Sequence, residues 1–205
     1  MKNRTPEIKV HPIDAELATP WILKKHYARR LPNIMFAFGM FLDSELSGIV
    51  TFGSPASPAL TKGIAGEKNK HLVLELNRLI VEKGKPSILI SKSLGMLPRP
   101  RIVVSYADTK MTHVGYVYQA SNWIYTGCSK ERTDMFSDGH SRHNKGDKSL
   151  RQPRSAKHRY VYLVGSTKQK KYLRKCLNYF SEAYPKGEVK HYDTGGDIPR
   201  QMLLI

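Results

Sequence analysis

Apolar and polar positions along this chain follow two rhythms, one near two residues and one near 3.6, and the switches between them mark the elements. A short apolar run at residues 8–10 predicts a strand. Asp14 then stands as an N-cap for a helix reaching about residue 28. Residues 35–42 and 46–52 predict two strands joined by a hairpin near Asp43 and Ser44. Residues 53–66, rich in Pro, Ser and Gly, read as a loop long enough to carry function. LVLELNRLIV, residues 72–81, predicts a strand with partly alternating positions. Pro86 and Ser87 open a helix to Leu94, and Pro98 and Pro100 precede a strand at residues 101–105. His113, Gly115, Tyr118, Gln119 and Asn122 fall along a further helix. Residues 125–135 and 160–164 predict strands, and residues 167–182 an amphipathic helix. This alternation argues for an α/β protein with a mixed sheet covered by helices on both faces, within one domain spanning residues 1–205.

Charge adds a partner to that picture. Lys and Arg total 34 against 17 Asp and Glu, a net +17. Such an excess points to nucleic acid, because cationic side chains release counterions from phosphate. The excess is concentrated at residues 140–175, where Arg142, Lys145, Lys148, Arg151, Arg154, Lys157 and Arg159 are opposed by Asp147 alone. The segment reads either as a solvated charged loop or as an arm contacting DNA phosphates beside the active cleft; the concentration of charge favours the arm. No basic amphipathic helix with a Trp/Phe/Leu face suggests a membrane surface. No apolar run approaches the roughly 20 residues of a spanning helix. The start MKNRTPEIKV lacks the apolar stretch of a secretory signal, so a cytoplasmic protein is expected. Cys128 and Cys176 stand in no C-x-x-C spacing, which makes reduced thiols the expectation and zinc not.

Candidate chemistry gathers where the strand at residues 101–105 ends. In an open α/β sheet, ligands bind at the carboxyl ends of strands. Asp108 stands there as a general base toward an amine, as an orienting group, or as a helix cap. Tyr118 is either a core tyrosine or an acid returning a proton to a leaving thiolate. His26 and Tyr27 end the first helix, where the dipole already favours a histidine; His26 could instead act as base or metal ligand. Arg78 either pairs with Glu75 or holds an anionic ligand. The helix start after Lys83 suits phosphate, with Ser91 or Ser93 adding a hydroxyl. G-x-G-x-x-G, P-loop, H-E-x-x-H and G-x-S-x-G motifs are missing, as is the D/N-P-P-Y/W signature of adenine methylases.

LELNRLIV, ISKSL and above all the run SYAD…H-x-G-x-x-Y-Q-A-S-N-W resemble the phage Mom family of DNA adenine-modification proteins, over roughly residues 26–127. The element order is also similar to the GCN5-related N-acetyltransferase architecture. The resemblance implies a mixed, largely antiparallel sheet flanked by helices. It implies an enzyme that places a methylcarbamoyl-type group on adenine N6 of double-stranded DNA, shielding phage DNA from host restriction. By motif it carries over His26, Tyr27, Asp108 and Tyr118 as catalytic residues, and Arg78 and Ser91 as cofactor-binding residues; it further implies a flipped adenine on which Tyr27, Tyr106 or Trp123 could stack. Acetyl-CoA enters as cofactor by the same analogy, although Gly84 is all that stands where that fold usually has a glycine-rich acyl-CoA loop. Iron with His and Asp ligands is left open, and so is a homodimer.

Overall fold

The computed structural model describes residues 6–135 and 151–187. Arg142, Lys145 and Lys148 lie outside the described residues. β1 (Ile8–Pro12) leads into α1 (Ala15–Lys25), then into the hairpin of β2 (Phe36–Leu42) and β3 (Glu45–Gly53), and then into α2 (Pro58–Asn69). β4 (Val73–Val81), α3 (Pro86–Met96) and β5 (Arg101–Asp108) follow. The chain continues through α4 (Tyr116–Ala120), β6 (Ile124–Cys128), β7 (Arg132–Met135), β8 (Arg151–Arg154), β9 (Lys157–Val164) and α5 (Thr167–Lys175). Seven strands make one sheet in the order β1-β2-β3-β4-β5-β9-β6, while β7 and β8 pair apart. All neighbours are antiparallel except β4 and β5. The fold is therefore a mixed α/β one with a largely antiparallel sheet flanked by helices, as the sequence leads one to expect.

Alternation along the strands sends side chains to two separate cores. On one face α1 buries Ala18, Trp21 and Ile22 against Ala37, Phe41 and Ile49. On the same face, α2 and α5 bury Ile64 and Leu173 against Val73, Ile102 and Val104. On the other face, α3 and α4 bury Leu89, Ile90 and Tyr118 against Phe38, Phe52, Leu76 and Val103. Each fully buried side chain of the size of Phe52 contributes about 1.5–3 kcal/mol.

The feature that positions the site is a fork. β4 and β5 pair over Val73↔Ile102, Leu74↔Val103 and Glu75↔Val104. Beyond that, β4 keeps only β3 as neighbour and β5 only β9, which it pairs along its whole length from Arg101↔Val164 through Ser105↔Tyr160 to Asp108↔Lys157. The two parallel strands diverge, and their carboxyl ends no longer satisfy one another. A β-bulge adds to this: Phe52 faces Leu76 but Thr51 faces Arg78, leaving Asn77 as the extra residue. Asn77 and Arg78 thereby reach the face that carries α1.

Several elements differ from the sequence reading. Residues 53–66 hold α2 instead of a loop; Pro58 occupies its first turn and Ile64 and Ala65 supply its buried stripe, which Gly63 and Gly66 dilute in the sequence. α1 stops at Lys25 because His26 turns extended, at φ −83 and ψ 134. β5 runs on to Asp108, and the helix expected at residues 113–122 shrinks to α4 behind Gly115, which lies at φ 77. The strand expected at 125–135 is two strands, β6 and β7. β8 lies within the segment read as a loop, β9 begins at Lys157, and α5 ends at Lys175.

Candidate active site

Three segments converge at the open end of the fork: the turn after α1, the bulged part of β4, and the end of β5. His26 is buried at the turn, and its Nδ1 accepts the Ala28 N–H at 3.0 Å. This local bond competes with the next helical turn and ends α1. It also fixes the tautomer, since a ring nitrogen that accepts carries no proton. Burial, then the charges of Arg78 and His113, lower the His26 pKa from 6.5 to about 3. At neutral pH His26 is thus an uncharged imidazole with its proton on Nε2. Tyr27 lies against the His26 ring at 4.4 Å between centroids and meets the His113 ring edge-on at 6.1 Å. It remains 41% exposed, so it offers a ring at the mouth of the site. Burial and the Asp108 carboxylate hold its hydroxyl proton more tightly than usual.

Arg78 comes from the bulge. Its Nη1 donates to the Asn77 carbonyl and its Nη2 to the Arg30 carbonyl, each at 2.6 Å. The guanidinium is therefore fastened to backbone while its charge faces His26 and Tyr27. Asp108 closes β5. Its Oδ1 accepts the Lys110 N–H at 3.0 Å and the Ser155 hydroxyl, and its Oδ2 pairs with the Lys157 ammonium. The helix-cap reading and the charged-site reading of Asp108 both hold in geometry. Burial pushes its pKa up, but the bonds from Lys157, Ser155 and Lys110 outweigh that and leave it below 3.8. Lys157 stands directly across the ladder, which is why it reaches this carboxylate.

Tyr118 approaches from the opposite face. Ser105 Oγ lies 2.9 Å from the Leu76 carbonyl and 2.8 Å from the Tyr118 hydroxyl. A carbonyl can only accept, so Ser105 donates to Leu76 and Tyr118 donates to Ser105. This chain of two hydroxyls spans the gap that opens between β4 and β5. Burial pushes the Tyr118 hydroxyl far above its ordinary pKa, against the opposing effect of Ser105. Gly115 lets α4 approach, since a Cβ there would fall 2.4 Å from the Tyr160 ring.

The structure thus gathers His26, Tyr27, Arg78, Asp108 and Tyr118 around the fork. Ser91 is exposed on α3, whereas Ser93 is buried and donates to the Leu89 carbonyl at 2.7 Å. Trp123 is fully buried against Tyr118 and offers no face to a base, contrary to the stacking role open to it in the sequence. Of the basic segment, Arg151 and Arg154 belong to β8. Lys157 is held by Asp108. The Arg159 guanidinium lies 3.4 Å over the Tyr179 ring and donates to the Thr126 carbonyl. The sequence marks Ser105 as a polar group at the strand end and His113 as a neighbour of Asp108 but gives neither a role, and it leaves Ser155 unmarked. Ser105 carries a signal: it alternates with Val103 and Ala107 on the buried face of an apolar strand. Ser155 carries none, because its relation to Asp108 spans 47 residues.

A family model described as the Mom protein family matches residues 7–147, more than half of the chain. The chain belongs to the Mom protein family. The methylcarbamoylase mom of Escherichia phage Mu is 32% identical over 142 residues, covering 65% of this chain. The chain spans 58% of the length of that relative. In structure, yncA of Salmonella typhimurium, a putative acetyltransferase with its cofactor acetyl-CoA, covers 78% of the chain and 95% of its own, with TM-score 0.48 and 9% identity. A putative acetyltransferase of Acinetobacter baylyi covers 78% and 93%, with TM-score 0.47 and 12% identity. At such TM-scores these likenesses bear on neither site nor activity. Among the described residues no group of three His, Cys, Asp or Glu stands ready to hold a metal ion, so the iron left open by the sequence finds no ligand set there. Nor, among those residues, is any helix long and apolar enough to cross a membrane.

Proposed function

We propose that this member of the Mom family transfers a small carbonyl-bearing group, of the methylcarbamoyl class named for its phage Mu relative, to adenine N6 in duplex DNA. The observation that carries the reading is the fork, with Arg78, His26, Tyr27 and Asp108 on one side and the Tyr118–Ser105 hydroxyl pair on the other. The two groups of side chains meet across the opening between β4 and β5, a placement that suits a group transfer in line.

Each residue then has a task. Asp108 takes the proton that N6 sheds as its bond to the carbonyl carbon forms. Its pairing with Lys157 keeps it ionised at neutral pH. His26 does not serve as base, because its accepting nitrogen is occupied by Ala28; its Nε2–H instead donates to developing negative charge. Tyr118, kept protonated by burial, passes a proton to the leaving group, with Ser105 as its partner. Tyr27 stacks on the adenine, and Arg78 fixes the turn that holds His26 and Tyr27. An acyl-CoA donor would supply the activated carbonyl and a thiolate leaving group. Its acyl end suits the fork, but its phosphates find no glycine-rich cradle: the Glu82 and Lys83 amides are spent on the Ser47 carbonyl, and Pro86 has no N–H. Lys83, Lys85 and Ser91, all exposed, are candidates to meet them. An acetyl donor alone also lacks the nitrogen of a methylcarbamoyl group. The modified DNA would resist host restriction nucleases, as the family resemblance implies.

Nucleosides from the DNA of cells expressing the protein should contain a modified deoxyadenosine by mass spectrometry. Asp108→Asn, which keeps the acceptor for Lys110, should lose that product and still bind duplex DNA. Unmodified deoxyadenosine from cells holding folded wild-type protein would overturn the reading.

A further inference from the structure

The candidate site continues into a loop, residues 27–35, that lacks regular structure and is nonetheless fastened at many points. The Arg29 N–H donates to the His26 carbonyl at 2.9 Å, and Arg29 itself lies at φ 40. The Arg30 carbonyl accepts from Arg78 at 2.6 Å, and the Asn33 carbonyl from Asn77 Nδ2 at 2.8 Å. Asn33 Oδ1 accepts the Ser54 N–H at 3.2 Å, and the Met35 N–H donates to the Phe52 carbonyl at 2.8 Å. Between the anchors at Arg30 and Asn33, Leu31 is 47% exposed. A single exposed leucine is ordinary on a protein surface. Here, however, the backbone beneath it is held to the bulge of β4, two arginines precede it, and it stands four residues past Tyr27.

We infer that Leu31 is a wedge that enters the base stack of duplex DNA and fills the place of the adenine delivered to the site. The inference rests on the adenine-modification reading above. Adenine N6 is engaged in the base pair, so an enzyme acting on it swings the nucleotide out of the stack. The unstacking is costly, and DNA-distorting proteins offset it by inserting apolar side chains, leucine among them, between base steps. A wedge must hold its position against the stack, which a loop with its backbone bonded on both sides of Leu31 does. Arg29, exposed beside it, supplies charge for the flanking phosphates. The chain between Tyr27 and Leu31 spans at most about 14 Å, so wedge and site address one nucleotide.

The test separates the wedge from the chemistry. Short duplexes of mixed sequence carrying 2-aminopurine brighten when that base leaves the stack. Wild-type protein should raise the fluorescence, and Leu31→Ala, at equal occupancy by anisotropy, should lower the rise at least about fivefold. Leu31→Phe should retain most of it. In parallel, Leu31→Ala should modify duplex DNA poorly but heat-denatured DNA as well as wild type does. A rise equal in Leu31→Ala and wild type, or none in wild type, overturns the wedge even if modified nucleosides form. A Leu31-dependent rise without any modified nucleoside upholds the wedge and overturns the modification reading.

Discussion

Because the Ala28 N–H occupies Nδ1, the His26 imidazole keeps its proton on Nε2, and in the proposed reaction it is a donor near neutral pH. His26→Gln retains an N–H but not the ring geometry, and should lower kcat by about a hundredfold to a thousandfold, the range for a lost transition-state donor. The same residue gives the protein an acid sensitivity. Its pKa is lowered from 6.5 to about 3 on folding, so the unfolded chain takes up the proton first. The stability it lends is full above pH 6.5 and is lost as pH falls toward 3. His113 and His158, also lowered by burial, act in the same direction as pH falls below 6.5. The urea midpoint should therefore fall between about pH 7 and pH 5, and fall less in His26→Gln. At Ser105 the expected effect is on stability at every pH. Ser105→Ala strips the partner from the Leu76 carbonyl and from the Tyr118 hydroxyl inside the fork, and should cost about 1–3 kcal/mol in urea unfolding.

At the scale of elements, the loop at residues 26–35 and the turn into it decide whether the site exists. Gly53, at the end of β3, is what lets that loop lie down: a Cβ there would fall 1.9 Å from the Asn33 carbonyl oxygen. Gly53→Ala must push the loop off the sheet end, and should lower stability by about 1–3 kcal/mol and reduce modification more than the distant Ser166→Ala does. Ser166→Ala removes the capping box of α5 and should cost about 1 kcal/mol with activity per folded molecule unchanged. The sequence pattern does not distinguish these loops. It shows the strand runs clearly because β2, β3 and β5, covered on both faces, bury nearly every residue and so read as continuous apolar runs. It hides α2, whose buried stripe is only Ile64 and Ala65 among glycines and lysines. It also overextends α1, since the bond from Ala28 to the His26 ring is a choice between two local structures that only the surrounding packing settles.

For the whole molecule, a net +17 at neutral pH would, on the proposed reading, set how it meets DNA. Duplex binding should weaken at least about tenfold between roughly 50 and 200 mM salt, measured by anisotropy, because each phosphate contact releases counterion. Not all of that charge is available to DNA: Lys157 and Arg159 are held by Asp108, Thr126 and Tyr179. From the sequence by itself came the fold class, the order along the chain of the seven strands of the main sheet, the family, and the run S-Y-A-D that places Asp108 at a strand end; these depend on local periodicity and motif, which the chain carries in one dimension. The fork between β4 and β5, the hydroxyl pair of Ser105 and Tyr118, the tautomer of His26 and the Lys157 partner of Asp108 were decided only by tertiary structure. Each of them joins residues between 2 and 49 positions apart through the direction of a hydrogen bond or the register of a ladder, and spacing along a chain encodes neither.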